Sequence, residues 1–195
     1  MRNGRKNSSD RGPAVPSGQG KRGNGGEFAI IARYFAPLAT NPASLGLLDD
    51  AAVLSIPEGQ ELVVTCDTIT GGVHFLTNDP PDTISYKAVA VSLSDLAAKG
   101  ARPYVYLLSA ALPGLCPPPW LEAFAMGLQA AQDDSGIALV GGDTCATLGP
   151  LTITVTAIGM LPQGEAVLRR GAMAGDRLFV TGKLWPKVFE IRIVP

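Results

Sequence analysis

Acidic residues set beside glycine are the part of this chain best suited to chemistry. The run Leu62-Val63-Val64-Thr65-Cys66-Asp67-Thr68-Ile69-Thr70-Gly71-Gly72-Val73-His74-Phe75 reads as an apolar strand that delivers Asp67 to its end. A glycine turn and the only histidine of the chain follow. Similar acids recur as Asp49-Asp50, as Asp95, and as Asp143 after Gly141-Gly142. A single strand-end aspartate is more often a turn former than a ligand, so it is the recurrence that points to a cation. Oxygen donors without a His/Cys cluster select Mg²⁺ over zinc or copper. Carboxylates around two or more Mg²⁺ ions would neutralise a nucleoside triphosphate and align an in-line transfer. The glycines would let backbone N–H groups approach phosphate oxygens. The pattern predicts a metal–phosphate site built without a P-loop.

Two literal motif matches fail their context. Gly18-Gln19-Gly20-Lys21-Arg22-Gly23 has the G-x-G-x-x-G spacing, but no strand precedes it and no helix directly follows. Gly182-Lys183 is similar to the end of a Walker A loop, yet Leu184 replaces the Ser/Thr and Arg177 stands at the first glycine. The chain's 195 residues suit one domain or one and a half, and 46% hydrophobic with 17% charged residues gives ample core. A net charge of -1 argues against a dominant nucleic-acid or anionic-membrane surface. The three scattered cysteines, Cys66, Cys116 and Cys145, form no CxxC pair and read as free thiols of a reducing compartment. Apolar runs stop well short of the ~20 residues that a spanning helix needs, and no apolar segment follows the basic N-terminus to make a secretory signal. These features predict a soluble cytoplasmic protein with neither a nucleic-acid nor a membrane partner.

The elements that must position the acids follow from periodicity. Phe28, Ile31, Ala32 and Phe35 share one face of a short helix that Pro37 ends. Asp49-Asp50-Ala51-Ala52-Val53-Leu54 reads as an acidic turn entering a first strand, which Pro57-Glu58-Gly59-Gln60 turns into a hairpin with Glu61–Cys66. A long helix runs from about Thr83 to Lys99 with Asp82 as N-cap and Gly100 as its stop. It is apolar on most sides, so it should be largely buried although it carries Asp95. Further strands are expected at Tyr104–Leu112, Ile137–Val140, Leu151–Leu161 and Arg177–Thr181, with a helix over Trp120–Gln132. The alternation gives an α/β (α+β) class with a mixed sheet and flanking helices.

The order of blocks is itself informative. Gly26-Glu27-Phe28 with Ile31-Ala32-Arg33-Tyr34-Phe35, then Asp49-Asp50-Ala51, Thr65-Cys66-Asp67-Thr68 and His74-Phe75, resembles the thiamine-monophosphate kinases. Tyr86 to Ala101, Gly141-Gly142-Asp143-Thr144, Arg169, Gly175-Asp176 and Val180-Thr181-Gly182 continue that resemblance. It covers roughly residues 25 to 182. The wider superfamily holds aminoimidazole ribonucleotide synthetase and selenophosphate synthetase. The resemblance implies transfer of the γ-phosphoryl of ATP directly to thiamine monophosphate, giving thiamine diphosphate, with several Mg²⁺ ions. It makes Asp50, Cys66, Asp67, Asp95 and Asp143 the metal positions, Gly142, Asp143 and Arg169 the nucleotide site, and His74 the substrate contact. It assigns no catalytic side chain. It implies an N-terminal AIR-synthase-like domain whose sheet pairs with that of its mate in a homodimer, and a second domain that completes the cleft.

Three departures qualify the resemblance. Leu48 stands where the family has a glycine before the acidic pair, and Cys66 where it has a threonine. After Gly182 the chain reads Lys183-Leu184-Trp185-Pro186-Lys187-Val188-Phe189-Glu190-Ile191-Arg192-Ile193-Val194-Pro195, without resemblance, as a truncated or frameshifted end would. The expected organisation is a disordered tail over 1–26, an ATP/Mg-binding and dimerisation domain over 27–182, and an unrelated tail over 183–195 at the start of a missing C-terminal domain. The alternatives are a catalytically deficient remnant that binds nucleotide or dimerises, and a related ATP-using synthetase. His74, and the absence of a synthetase-type reactive Cys or Lys motif, favour the kinase over the synthetase. A lone chain is expected to bind Mg²⁺–nucleotide weakly and to turn over little.

Overall fold

A computed structural model describes residues 26–114 and 116–177. The expectations for 1–25 and for the tail after 177, including all but the first residue of a strand over 177–181, fall outside those residues. The described part is built from β1 (Gln60–Thr70), α2 (Pro81–Ala98), β2 (Arg102–Pro113), α3 (Pro118–Ser135), β3 (Ala138–Thr147) and β4 (Thr152–Pro162), preceded by a short α1 (Glu27–Ile30). The sheet order is β1-β4-β2-β3. β4 runs antiparallel to both β1 and β2, whereas β2 and β3 are parallel, joined through α3 as parallel strands must be. This is the mixed sheet that the sequence predicts.

The early hairpin is not formed. Residues 52–57 take no regular structure, and β1 pairs with β4 instead, Thr65 opposite Ala157 and Asp67 opposite Val155. The run Ala51-Ala52-Val53-Leu54 is too short and too exposed to displace the eleven-residue β4 from that edge. β1 also runs on to Thr70, so Asp67 lies inside the strand and not at its end. β3 likewise continues to Thr147 and carries Asp143 within it. The opening helix forms, but changes from α over Glu27–Ile30 to π over Ile31–Phe35 and 3-10 over Ala36–Leu38, so one turn passes Pro37.

Helix α2 begins at Pro81, with Pro80 at the N-cap position and Asp82 inside the first turn. Proline fits there because the first N–H groups of a helix lack intrahelical partners in any case. Gly100 at φ +74 ends it, with the Ala101 N–H returning to the Leu96 carbonyl at 3.0 Å. One face alone is buried, through Ile84, Ser85, Ala88, Val89, Ser92 and Leu96. Tyr86 and Val91 remain exposed, so the helix is half-buried and not largely buried. Val89 and Leu96 are fully enclosed, which stabilises by roughly 1.5–3 kcal/mol each. α2 packs on β1 and β4 and crosses α3 closely, leaving the opposite face of the sheet free of these helices.

Candidate functional site

The face of the sheet away from α2 and α3 carries a polar row set by strand register. Asp143 on β3 stands opposite Ser109 on β2, Ser109 opposite Thr154 on β4, and Thr154 opposite Thr68 on β1. The Thr68 and Thr154 hydroxyls are 2.8 Å apart. In the next row Thr156 donates to Cys66 Sγ at 3.5 Å. Above these rows a cavity of about 760 Å³ is lined by Ser109, Gly142, Asp143, Thr154 and Thr156 from the sheet, with Asp49 and Asp50 from the preceding loop. Such a volume suits a nucleotide-sized ligand.

Local structure explains how each acid arrives. The segment Pro42–Leu47 lies against β3, and Leu45, Gly46 and Leu47 take φ of 50, 68 and 55 in succession. Positive φ is strained for leucine, and it turns the chain so that Asp49 and Asp50 follow at the cavity. Leu48 has φ -100, a value any residue adopts, so the absence of glycine costs the backbone nothing here. In β3 the register shifts between Tyr106/Leu139 and Leu107/Gly141, which makes Val140 an extra residue. Gly142, at φ +150, has no room for a side chain: a Cβ would fall 1.8 Å from the Leu108 carbonyl oxygen.

Asp67 and Asp95 belong to a different surface. Because side chains alternate along a strand, Asp67 faces α2, where the buried Ser92 hydroxyl donates to its Oδ2 at 3.0 Å. Two residues back, the Thr65 hydroxyl donates to Asp95 Oδ2 at 2.8 Å. Asp95 is solvent-facing, yet tied to β1. These bonds make one polar seam between β1 and α2 and use one oxygen of each carboxylate. His74 lies beyond β1 in an exposed turn, and Arg169 lies in the exposed segment after β4. The site residues named from the sequence thus fall in three places: Asp50, Gly142 and Asp143 at the cavity, Asp67 and Asp95 at the seam, and His74 and Arg169 outside both. Cys66 is exposed on the cavity side of β1.

Sequence reasoning missed Ser109, Thr154, Thr156 and Ser92. The alternating threonines of β4 could have placed two of them, since their period of two fixes which face they share. Among the described residues no three His, Cys, Asp or Glu side chains converge closely enough to hold a metal ion by themselves. The donors at the cavity are nonetheless oxygens, which suits Mg²⁺, an ion that keeps several waters and takes one or two carboxylates plus substrate phosphates.

A mixed sheet with two helices on one face and an acid-lined cavity on the other defines a known class. The family model for the AIR synthase related protein, N-terminal domain, matches residues 48–161, and the chain belongs to that family. Within it the chain is similar to the thiamine-monophosphate kinase of Caulobacter vibrioides, 47% identical over 161 residues that cover 81% of this chain and 45% of the relative. The crystal structure of the thiamine-monophosphate kinase from Stenotrophomonas maltophilia K279a superposes with a TM-score of 0.62 at 45% identity, covering 72% of this chain and 44% of that one. AaThiL complexed with AMPPCP and TMP matches with a TM-score of 0.56 at 29% identity, over 76% of this chain and 45% of its own. The chain spans about half the length of the curated relatives it matches.

Proposed function

We propose that the protein is a thiamine-monophosphate kinase, which moves the γ-phosphoryl of ATP to thiamine monophosphate by direct in-line transfer and so forms thiamine diphosphate. The observation that carries this is the 760 Å³ cavity with Gly142-Asp143 on one wall and Asp49-Asp50 on the other. Gly142 and Asp143 are both exposed at the cavity, and the missing side chain of Gly142 lets β3 lie close against the Leu108 backbone of β2. Asp50 and Asp143 would hold Mg²⁺ there. Bound Mg²⁺ supplies neutralisation of phosphate charge and alignment of the leaving and entering oxygens. Asp67 and Asp95, oriented by Ser92 and Thr65, are the second pair of metal positions, and Cys66 is a further one on the cavity face of β1. Arg169 contacts the nucleotide phosphates and His74 contacts thiamine monophosphate. AaThiL, solved with AMPPCP and TMP, supports the substrate pair.

The same proposal includes a homodimer, a cytoplasmic location, and a domain spanning 27–182 between a tail over 1–26 and a distinct segment over 183–195. No helix among the described residues is long and apolar enough to cross a membrane. The test is calorimetric titration with Mg²⁺–AMPPCP. Asp143→Asn should weaken binding at least about tenfold, or about 1.4 kcal/mol. Equal affinity for wild type and variant would remove the cavity from the nucleotide site. Formation of thiamine diphosphate from thiamine monophosphate, followed by chromatography, tests the reaction itself.

A further inference from the structure

The turn after β1 holds His74 in one hydrogen-bonding state. The Thr70 backbone N–H donates to His74 Nδ1 at 3.1 Å. An amide N–H can only donate, so Nδ1 is the acceptor and the neutral ring carries its proton on Nε2. The backbone is closed onto the same residue: the N–H groups of His74 and Val73 reach the Thr70 carbonyl at 2.9 and 3.2 Å. Gly72, at φ +78, lets the turn reverse, its N–H bonding the carbonyl of the buried Phe75 at 2.8 Å. From α2, Lys87 Nζ donates to the His74 carbonyl. Among the described residues the one ion pair joins Arg33 to Glu122, so the Lys87 ammonium is engaged with this carbonyl and with no carboxylate. The imidazole itself is exposed, with Nε2 available.

We propose that Lys87 is a positioning residue which, together with the Thr70 amide, presents His74 as a fixed Nε2–H donor to an acceptor oxygen of the phosphate-bearing substrate. This rests on the kinase reading proposed above and adds the state of the ring and the residue that holds it. A ring locked in this way offers a hydrogen bond and cannot accept one at Nδ1, so it selects an oxygen acceptor over a donor group.

His74 is the chain's only histidine, so proton–nitrogen correlation spectra of the full chain show one imidazole. At alkaline pH, where imidazole is neutral, Nδ1 should appear as a bare acceptor and Nε2 as a protonated nitrogen, without averaging. The Thr70 amide should be protected from solvent exchange. Lys87→Met should average the two nitrogens and speed Thr70 exchange about tenfold at an unchanged melting midpoint, and Lys87→Arg should restore the wild-type pattern. An averaged ring in wild type, or a Lys87→Met spectrum identical to it, would overturn the proposal. Thiamine monophosphate added with AMPPCP should shift the Nε2 peak. A fixed ring that this ester leaves unmoved overturns the donor role, whereas absence of AMPPCP binding in the same sample overturns the kinase reading.

Discussion

At the scale of single residues, the hydroxyls that serve carboxylates are as informative as the carboxylates. Ser92 is fully buried and points its hydroxyl at Asp67, so the rotamer of that acid is set from the core. Tyr106 is the contrary case. It is enclosed on β2, and its hydroxyl finds no hydrogen-bond partner among the described atoms. Leaving a buried hydroxyl unpaired costs about 1–3 kcal/mol, so Tyr106→Phe should match or exceed the wild type in thermal stability. Burial also pushes the ionisation of this phenol well above the ordinary tyrosine value, by desolvation of its charged form. The unfolded chain then loses that proton first, so the contribution is complete below about pH 10 and falls as pH rises beyond it. Melting curves across alkaline pH should fall more steeply in wild type than in Tyr106→Phe; parallel curves would refute the account.

At the scale of elements, the crossing of α2 and α3 sets the tolerance of the layer above the sheet. A Cβ on Gly127 would lie 2.0 Å from the Asp82 carbonyl oxygen and 2.2 Å from Ser85 Oγ. The Ser85 hydroxyl donates to the Phe124 carbonyl at 2.7 Å across the same crossing. Gly127→Ala must part the helices, at a cost of roughly 1–3 kcal/mol by analogy with overpacked cores, and a lower urea midpoint would report it. An unchanged midpoint would show that the crossing gives way freely. The sequence made α2, α3 and the four strands legible because their periods and stop residues act locally: Gly100 ended α2 where its composition said it would. It did not reveal that β1 pairs with β4, a partner about ninety residues away, since that choice depends on length and burial of competing edges. The sequence places Asp67 on a strand but at its end, and Asp143 just past a strand that in the structure contains it. Strand length is decided by the neighbour, and Thr152–Pro162 is long enough to keep β1 extended past Asp67.

At the scale of the molecule, among the described residues α2 and α3 cover one face of the sheet, and its edges are β1 and β3, not β4. β4 sits between β1 and β2 with both sides paired. The proposed second copy would pair at β1, where Val64 is 59% exposed on the cavity side next to the exposed Cys66. An apolar residue on an open edge favours pairing, and a lysine there opposes it. The proposed homodimer should therefore appear in light scattering of the wild type, and Val64→Lys should reduce the mass toward that of one chain. A variant that scatters like wild type would move the interface away from β1.

The extra residue in β3 works as a parity switch. Before it, Leu139 stands beside Tyr106, a core residue; after it, Asp143 stands beside Ser109 at the cavity. Were Val140 paired opposite Leu107 instead of left out of the ladder, Asp143 would slide opposite Ala110, which is fully buried, and an ionised group would meet the interior. Which compartment this acid serves, water or oil, is thus settled by counting residues along one strand and not by the chemistry of the acid.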